Sequence, residues 1–283
     1  NKNHYAANLS FGIALTLGLC LAFLSGQPYR RWSLRFPVLV ERLTGVLLNP
    51  GYLRFGLLLV LLTAFFFAQS RGAFLALAAA AGALLLLGAY WRDYRTRSRH
   101  SSTLPSAEIR VLPWLLVTAA LAAVWLSSSG LFARLLPSEL SDAGRMVTWI
   151  QTLEMWRDHW LFGVGNGSFQ YVFTAYKVAA LDGNLYDFAH SDHLQLLAEQ
   201  GVIGAVLFYA FFLACFWRML SVYCRSGGNR SRQGLLLGII IAVAAFFLHG
   251  LVDFNFHIPS NALWFYTLLA LGLVTARRIV QDA

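Results

Sequence analysis

Two arginines stand out because each lies beside a long apolar run, where a charged side chain is costly and is therefore a functional candidate. Arg71 occupies a tight break between two such runs, and Arg145 opens an amphipathic stretch. A guanidinium binds phosphate oxygens through two parallel hydrogen bonds and keeps its charge at any relevant pH. Arg71 is therefore a candidate for anion binding, and Arg145 is a candidate for a role other than helix stability. The ordinary alternatives are an arginine at the membrane interface and a solvated helix-start residue, although a cation at a helix N-terminus is mildly unfavourable.

His190 begins the polar segment His190-Ser191-Asp192-His193, just before the chain returns to an apolar run. Two histidines at i, i+3 with an aspartate between them could suggest a metal site. No third ligand follows at a fixed spacing, so we disfavour a metal. A single neutral histidine fits better, acting as a general base or orienting a hydroxyl group. The ordinary alternative is a surface or interfacial histidine.

Other polar motifs are less specific. Residues 163–167 (Gly-Val-Gly-Asn-Gly) resemble a dinucleotide loop but lack the preceding strand, so we interpret them as a closely packed turn. Asp253, His257 and Pro259 form a polar cap where two apolar runs meet, or simply an interfacial turn. His249 lies deeper and could hydrogen-bond a helix carbonyl. The three cysteines are scattered, which argues against disulfides and zinc.

Long apolar runs must position these residues. Hydrophobic residues make up 58% of the 283, charged residues only 12%, and the mean hydropathy is +0.59. Because about 20 apolar residues span a bilayer, we predict an all-α polytopic membrane protein with about seven spans. The predicted spans cover residues 5–24, 55–69, 72–91, 112–129, 202–222, 235–252 and 261–276. Residues 36–48 carry Glu41 and Arg42 and are better interpreted as an interfacial helix.

The distribution of basic residues predicts the orientation. Of the 22 Lys and Arg residues, 16 fall in four segments that alternation places on one side, which the positive-inside rule makes cytoplasmic. The net charge of +9 therefore does not indicate nucleic acid binding. Asn1, the Arg71 turn, the loop over about 130–200 and the Asp253 turn all fall outside.

The outer loop contains a predicted amphipathic helix. Met146, Trp149, Ile150 and Leu153 recur at helical spacing. We expect Gly144 to precede this helix and Asp158 to end it, with the apolar side on the membrane or on the helix bundle.

The ordered set of motifs resembles the O-antigen ligase superfamily, which includes Wzy-type O-antigen polymerases and bacterial O-oligosaccharyltransferases. The motifs are, in order, Asn1-Lys2-Asn3-His4, Ser70-Arg71-Gly72, Gly144-Arg145 with Trp149, the 163–169 turn, and the segment from His190 to Gly201. Each is weak alone, but their order around one large outer loop is fairly specific. Asp192-His193 departs from the Asn or Tyr of many members.

The resemblance implies a metal-independent, GT-C-type membrane glycosyltransferase without a cofactor. It implies an undecaprenyl-diphosphate-linked glycan donor and transfer to a lipid A core, a glycan or a protein at the periplasmic face of the bacterial inner membrane. The catalytic residues would be His190, Arg71 and Arg145, with Asn3, His4, His193 and Asp253 as weaker substrate-binding candidates. We expect residues 1–283 to be one catalytic region. Asn1 in place of Met, and the greater length of family members, suggest that N-terminal spans are missing.

Three rivals remain open. A peptidoglycan-polymerase-like glycosyltransferase would use the same lipid carrier. A transporter or flippase for the same lipid would favour broken helices and charges at the bilayer midplane, whereas the charges here cluster at the outer boundary. A structural membrane protein would have no active site. The sequence does not distinguish lipopolysaccharide ligation, polysaccharide polymerisation and protein glycosylation.

Overall fold

The computed structural model describes residues 1–26, 50–97, 139–178, 181, 185–226 and 229–282, and every regular element within them is helical. The predicted interfacial helix at 36–48 and the predicted span at 112–129 lie outside the described residues. The α-helices are α1 Lys2–Gly26, α2 Pro50–Ala68, α3 Arg71–Arg97, α4 Glu139–Asp158, α5 Phe169–Val172, α6 Asp192–Arg225, α7 Arg230–His249 and α8 Pro259–Gln281. Short 3₁₀ helices cover Phe173–Tyr176 and Asn255–His257.

Within the described residues, five helices are long and apolar enough to cross a membrane, namely α1, α3, α6, α7 and α8. Each contains one of the predicted spans, except that 235–252 extends three residues beyond the end of α7. The apolar part of α2, Leu53–Ala68, is shorter. The prediction of an all-α chain with several membrane-spanning helices is therefore confirmed for the described residues, whereas a count of seven is not reached within them.

Helix α7 is the centre of the bundle and packs against α1, α3, α6 and α8. Its middle is buried on every side, as expected for a helix that is apolar all round. Gly238 lets α1 approach closely, because a Cβ there would lie 2.7 Å from the Ala14 carbonyl oxygen. Small residues at such contacts are typical of helix packing in membranes.

At one end of the bundle, the starts of α1, α6 and α8 lie close to the end of α7. Asn8 Nδ2, near the start of α1, donates to Asn261 Oδ1, near the start of α8, at 2.5 Å. The start of α6 contacts the turn after α7, where the Asp192 amide donates to the Gly250 carbonyl at 2.8 Å. We call this the His190 end. At the opposite end, Arg232 of α7 forms an ion pair with Asp282.

Helix α6 is broken at Gly201, whose φ of +63° is not helical. The neighbouring turn fills the break: the amides of Val164 and Gly165 donate to the carbonyls of Ala198 and Glu199 at 3.0 and 2.8 Å. A Cβ at Gly163 would overlap the Glu199 backbone. The interpretation of this segment as a closely packed turn is thereby confirmed. Below the break, α6 continues as the apolar segment 202–225.

Helix α4 begins at Glu139, so the prediction that Gly144 precedes it is wrong. A glycine inside a helix costs only about 1 kcal/mol, which flanking turns compensate readily. The face that packs on the protein carries Thr148, Thr152 and Met155, all fully buried. The predicted apolar side is turned away from the bundle, and Met146, Ile150 and Leu153 on it are exposed.

Candidate active site

His190 lies in a sharp bend between the outer loop and α6. Its φ of +55° is in the left-handed region, which costs a non-glycine residue roughly 1–2 kcal/mol. Buried neighbours hold the bend: the Ala189 amide donates to Gln195 Oε1 at 3.1 Å, and the Ser191 hydroxyl caps α6 by accepting from the Leu194 amide at 3.4 Å. Such strain persists where the surroundings enforce it, often at functional sites.

The surroundings of His190 favour its neutral form. Burial lowers the pKa of the His190 imidazole, and the positive charge of Arg145 lowers it further, while the Asp253 carboxylate opposes both. The ring packs edge-on against Phe254, with 5.1 Å between ring centroids. A neutral imidazole at neutral pH can accept a proton from a hydroxyl group.

Asp253 is only 2% exposed and lies between two histidines of the bundle. Its Oδ1 is 3.7 Å from His4 Nε2 and accepts a hydrogen bond from the Phe254 amide at 2.8 Å. Its Oδ2 is 3.7 Å from His249 Nε2. Among the described residues, neither Asp253 Oδ2 nor His4 Nε2 has a hydrogen-bond partner. Buried polar atoms are rarely left unpaired, so both are available to a ligand or a water molecule.

Arg71 is the first residue of α3 and is half-buried. Two residues before it, Gln69 has a φ of +53° and turns the chain sharply. Gly72 packs against α7, because a Cβ there would lie 2.8 Å from Val252 Cγ2 and 3.1 Å from His249 Cδ2. This packing brings the start of α3 to the His190 end, next to the histidine that faces Asp253.

Arg145 lies in the second turn of α4 rather than at its first residue, because the helix starts six residues earlier than expected. Arg145 therefore does not oppose the helix dipole, since that effect fades beyond the first turn. The half-buried Arg145 side chain is nonetheless close enough to His190 to lower its pKa.

The weaker candidates divide into two groups. His4 and Asp253 lie beside His190 around Phe254, and the His4 and Phe254 rings are 4.8 Å apart. Asn3 lies on the first turn of α1, where its backbone amide donates to the Asn1 side chain at 2.9 Å. Both ring nitrogens of His193 have partners within the protein, Tyr209 Oη at 2.8 Å and the Phe247 carbonyl at 3.0 Å. That bonding favours a structural role for His193.

A sequence model of the O-antigen ligase family matches residues 56–209, more than half of the chain. The chain belongs to the O-antigen ligase family. Members of this family are membrane enzymes that transfer glycans. The apolar helices in the described part of the chain make this one a multi-pass membrane protein. No curated protein matches the chain.

The region matched to the O-antigen ligase family includes Arg71, Arg145 and His190 but not His4 or Asp253. The structure brings the start of α1 and the turn after α7 to the same end as the matched region. His190 therefore lies beside residues outside the match, His4 and Asp253 among them.

Sequence reasoning missed a chain of buried amides behind the site. Asn8 contacts Asn261, the Asn261 amide donates to Asn255 Oδ1 at 3.1 Å, and the Asn255 amide lies 3.1 Å from His249 Nδ1. His249 therefore bonds a side-chain amide and not, as we considered, a helix carbonyl. These four residues lie on four separate elements, namely α1, α7, the 3₁₀ helix at Asn255–His257 and α8, so no local pattern indicates that they meet.

The role of the polar residues after His190 also emerges only in the fold. Glu199 is buried, and its Oε1 accepts from the Phe169 amide and from Gln195 Nε2, both at 3.2 Å. Gln195 in turn accepts from Ala189. The i, i+4 spacing of Gln195 and Glu199 was the one feature of the sequence that could have indicated their contact on α6. Together they fix Phe169 and Ala189, which both precede His190, to α6.

No group of three or more His, Cys, Asp or Glu side chains that could hold a metal ion occurs within the described ranges. His4 and His249 instead face one carboxylate, that of Asp253, each at 3.7 Å.

Proposed function

We propose that this O-antigen ligase family member transfers a glycan from an undecaprenyl-diphosphate carrier to an acceptor hydroxyl at the periplasmic face of the bacterial inner membrane. The observation that carries the proposal is the position of the half-buried His190 near Arg145, at the end of the bundle where α3 begins with Arg71. The proposed reaction needs a proton acceptor for the attacking hydroxyl and cations that stabilise the leaving diphosphate.

In the proposed step, the acceptor oxygen attacks the anomeric carbon and its proton passes to His190. The new bond joins the acceptor oxygen to that carbon, and the bond from the carbon to the diphosphate oxygen breaks. The leaving undecaprenyl diphosphate keeps the bonding electron pair and gains one negative charge. Arg71 and Arg145 stabilise this charge through charge-assisted hydrogen bonds. The proton on His190 then passes to solvent.

Asp253 and His4 complete the site in this proposal. Both offer an unpaired buried polar atom, and the Asp253 carboxylate favours proton uptake by His190. They would bind hydroxyl groups of the substrate, with Asn3 nearby at the start of α1. The lipid tail lies in an apolar groove between spans, in contact with membrane lipids.

We propose further that residues 1–283 act as one catalytic unit of the GT-C type, with the loop at about 130–200 as its periplasmic cover. The support is that His4 of α1 and Asp253 after α7 share a single site with residues of the matched region. The acceptor is a lipid A core, a growing glycan or a protein, and the lipopolysaccharide and capsule profile of a deletion strain distinguishes these.

Transfer from a purified undecaprenyl-diphosphate-linked glycan tests the catalytic assignment. Arg71→Ala, Arg145→Ala and His190→Ala should each lower turnover at least about 100-fold, the usual scale for removing an acid–base or charge-stabilising group. Arg157→Ala and His159→Ala are matched controls, because both side chains are exposed at the end of α4. Wild-type turnover in the first three variants would rule the assignment out. A chelator arm checks metal dependence: loss of turnover that a divalent cation restores would contradict a metal-independent step.

A further inference from the structure

A separate cleft of about 320 Å³ opens between the outer part of α6, the turn after α7 and α8. Its lining includes Glu199, Gln200, Phe208, Phe256, His257 and Tyr266. Phe208 lies in the apolar segment below the Gly201 break, whereas Gln200 lies above it. The cleft therefore has an apolar base and a polar rim, a composition typical of small-molecule sites.

The polar groups of the rim are fixed in orientation. His257 Nδ1 lies 2.9 Å from Asp192 Oδ1, and the Phe256 amide donates to the same carboxylate. This contact fixes the orientation of the His257 ring at the edge of the cleft. Gln200 donates to Asn166 Oδ1 at 3.2 Å, which holds the amide in place.

The charge of the lining indicates the class of ligand. Two carboxyl groups, Asp192 and Glu199, line the cleft, and no Lys or Arg does so among the described residues. Without such a cation, this cleft is unsuited to the diphosphate end of a lipid carrier. Acceptor groups beside an exposed Tyr266 ring suit an uncharged sugar, whose hydroxyls donate hydrogen bonds and whose apolar face packs on an aromatic ring.

The cleft lies one aromatic layer from His190. The Phe188 and Phe254 rings stack with centroids 4.5 Å apart. On one side of this pair, His190 packs against Phe254 at 5.1 Å, and on the other side His257 lies 5.3 Å from Phe188. A sugar in the cleft would therefore be held next to the proposed reaction centre but outside it.

We propose that this cleft binds an uncharged sugar residue of a substrate. The Phe188–Phe254 pair lies between this sugar and the reacting hydroxyl or anomeric carbon. The inference rests on the proposed glycan transfer and adds to it a second subsite, formed by His257, Gln200 and Tyr266. The sugar belongs either to the acceptor or to the donor glycan, since both offer the same chemistry.

Ligand-observed NMR on the full chain in lipid nanodiscs tests the subsite without requiring turnover. The two probes are the oligosaccharide released from the acceptor glycolipid by mild acid and the glycan released from the lipid-linked donor. Tyr266→Leu, His257→Gln and the milder Gln200→Ala should weaken the binding of one probe at least tenfold. The affected probe identifies which substrate occupies the cleft. Trp264→Leu is the matched control on α8, because Trp264 is exposed to a similar degree and does not line the cleft.

Unchanged affinity for both probes in all three cleft variants would overturn the proposal, as would failure of the wild-type protein to bind either probe. A transfer assay run in parallel separates the two proposals. If the wild type binds a sugar probe and the cleft variants do not, but the wild type transfers no glycan, the proposed function is overturned and the sugar site is retained. Normal transfer with unchanged sugar binding would overturn the sugar site alone.

Discussion

His249 Nε2 and Asp253 Oδ2 lie 3.7 Å apart, and both side chains are almost completely buried. Asp253 faces His4 on its other side, so a single carboxylate links the start of α1 to the end of α7. The same carboxylate acts on His190, whose pKa it raises. Asp253 therefore connects the packing of the bundle to the proposed proton acceptor.

Asp253→Asn should lower turnover at least about tenfold, equivalent to about 1.4 kcal/mol in the barrier. Loss of the negative charge removes the effect that raises the His190 pKa, so the pKa falls further and His190 becomes a weaker base. The pH–rate profile of glycan transfer measures this, and its acid limb should move to lower pH. Asp158→Asn is the control, since that carboxylate is exposed and accepts from Tyr176 Oη at 2.8 Å. An acid limb that stays in place in Asp253→Asn would contradict the coupling.

Arg145→Gln should move the acid limb in the opposite direction. The positive charge of Arg145 disfavours protonated His190, so its removal raises the His190 pKa towards the ordinary value for histidine. Residual activity should then disappear at a higher pH than in the wild type, because His190 is lost as a base when pH falls through its pKa. Arg145→Lys keeps the charge and should leave the acid limb near its wild-type position. Identical profiles for the Gln and Lys variants would argue against a charge effect.

Gly72→Val tests whether the packing of α3 on α7 positions Arg71. The added side chain would collide with Val252 and His249, so the start of α3 must move. A displacement of about 1 Å in a positioning element can cost about 100-fold in rate, and we expect a loss of that order in glycan transfer. Gly82→Val is the matched control on the same helix, because a Cβ at Gly82 meets nothing within 4 Å. Equal turnover in the two variants would show that this contact does not position Arg71.

The spans could be predicted from the sequence because a membrane helix is recognised by local composition, as at 5–24 and 202–222. His190, Arg71 and Arg145 could be proposed as site residues from the sequence, because His190 and Arg71 flank apolar runs and all three lie in the motifs of the family resemblance. The contact of Asn8 with Asn261 could not be predicted from the sequence, because it joins residues 253 positions apart. The start of α4 was misjudged at Gly144, because a glycine is tolerated inside a helix when the surrounding turns are stable. The cleft beside His257 also depends on long-range packing, which local periodicity does not report.

Gly201→Ala and Gly144→Ala should have opposite effects on stability. At Gly201, the φ of +63° strains an alanine by about 1–3 kcal/mol, and its Cβ would also overlap the Leu161 carbonyl that fills the helix break. At Gly144, the backbone is helical and a Cβ meets nothing within 4 Å, so alanine should stabilise α4 by up to about 1 kcal/mol. Thermal unfolding in detergent measures both, with a lower midpoint for Gly201→Ala and an equal or higher one for Gly144→Ala. A wild-type midpoint for Gly201→Ala would mean that α6 runs through this position unbroken. In that case, the carbonyls of Ala198 and Glu199 would bond within α6 and the 163–167 turn would lose its attachment beside His190.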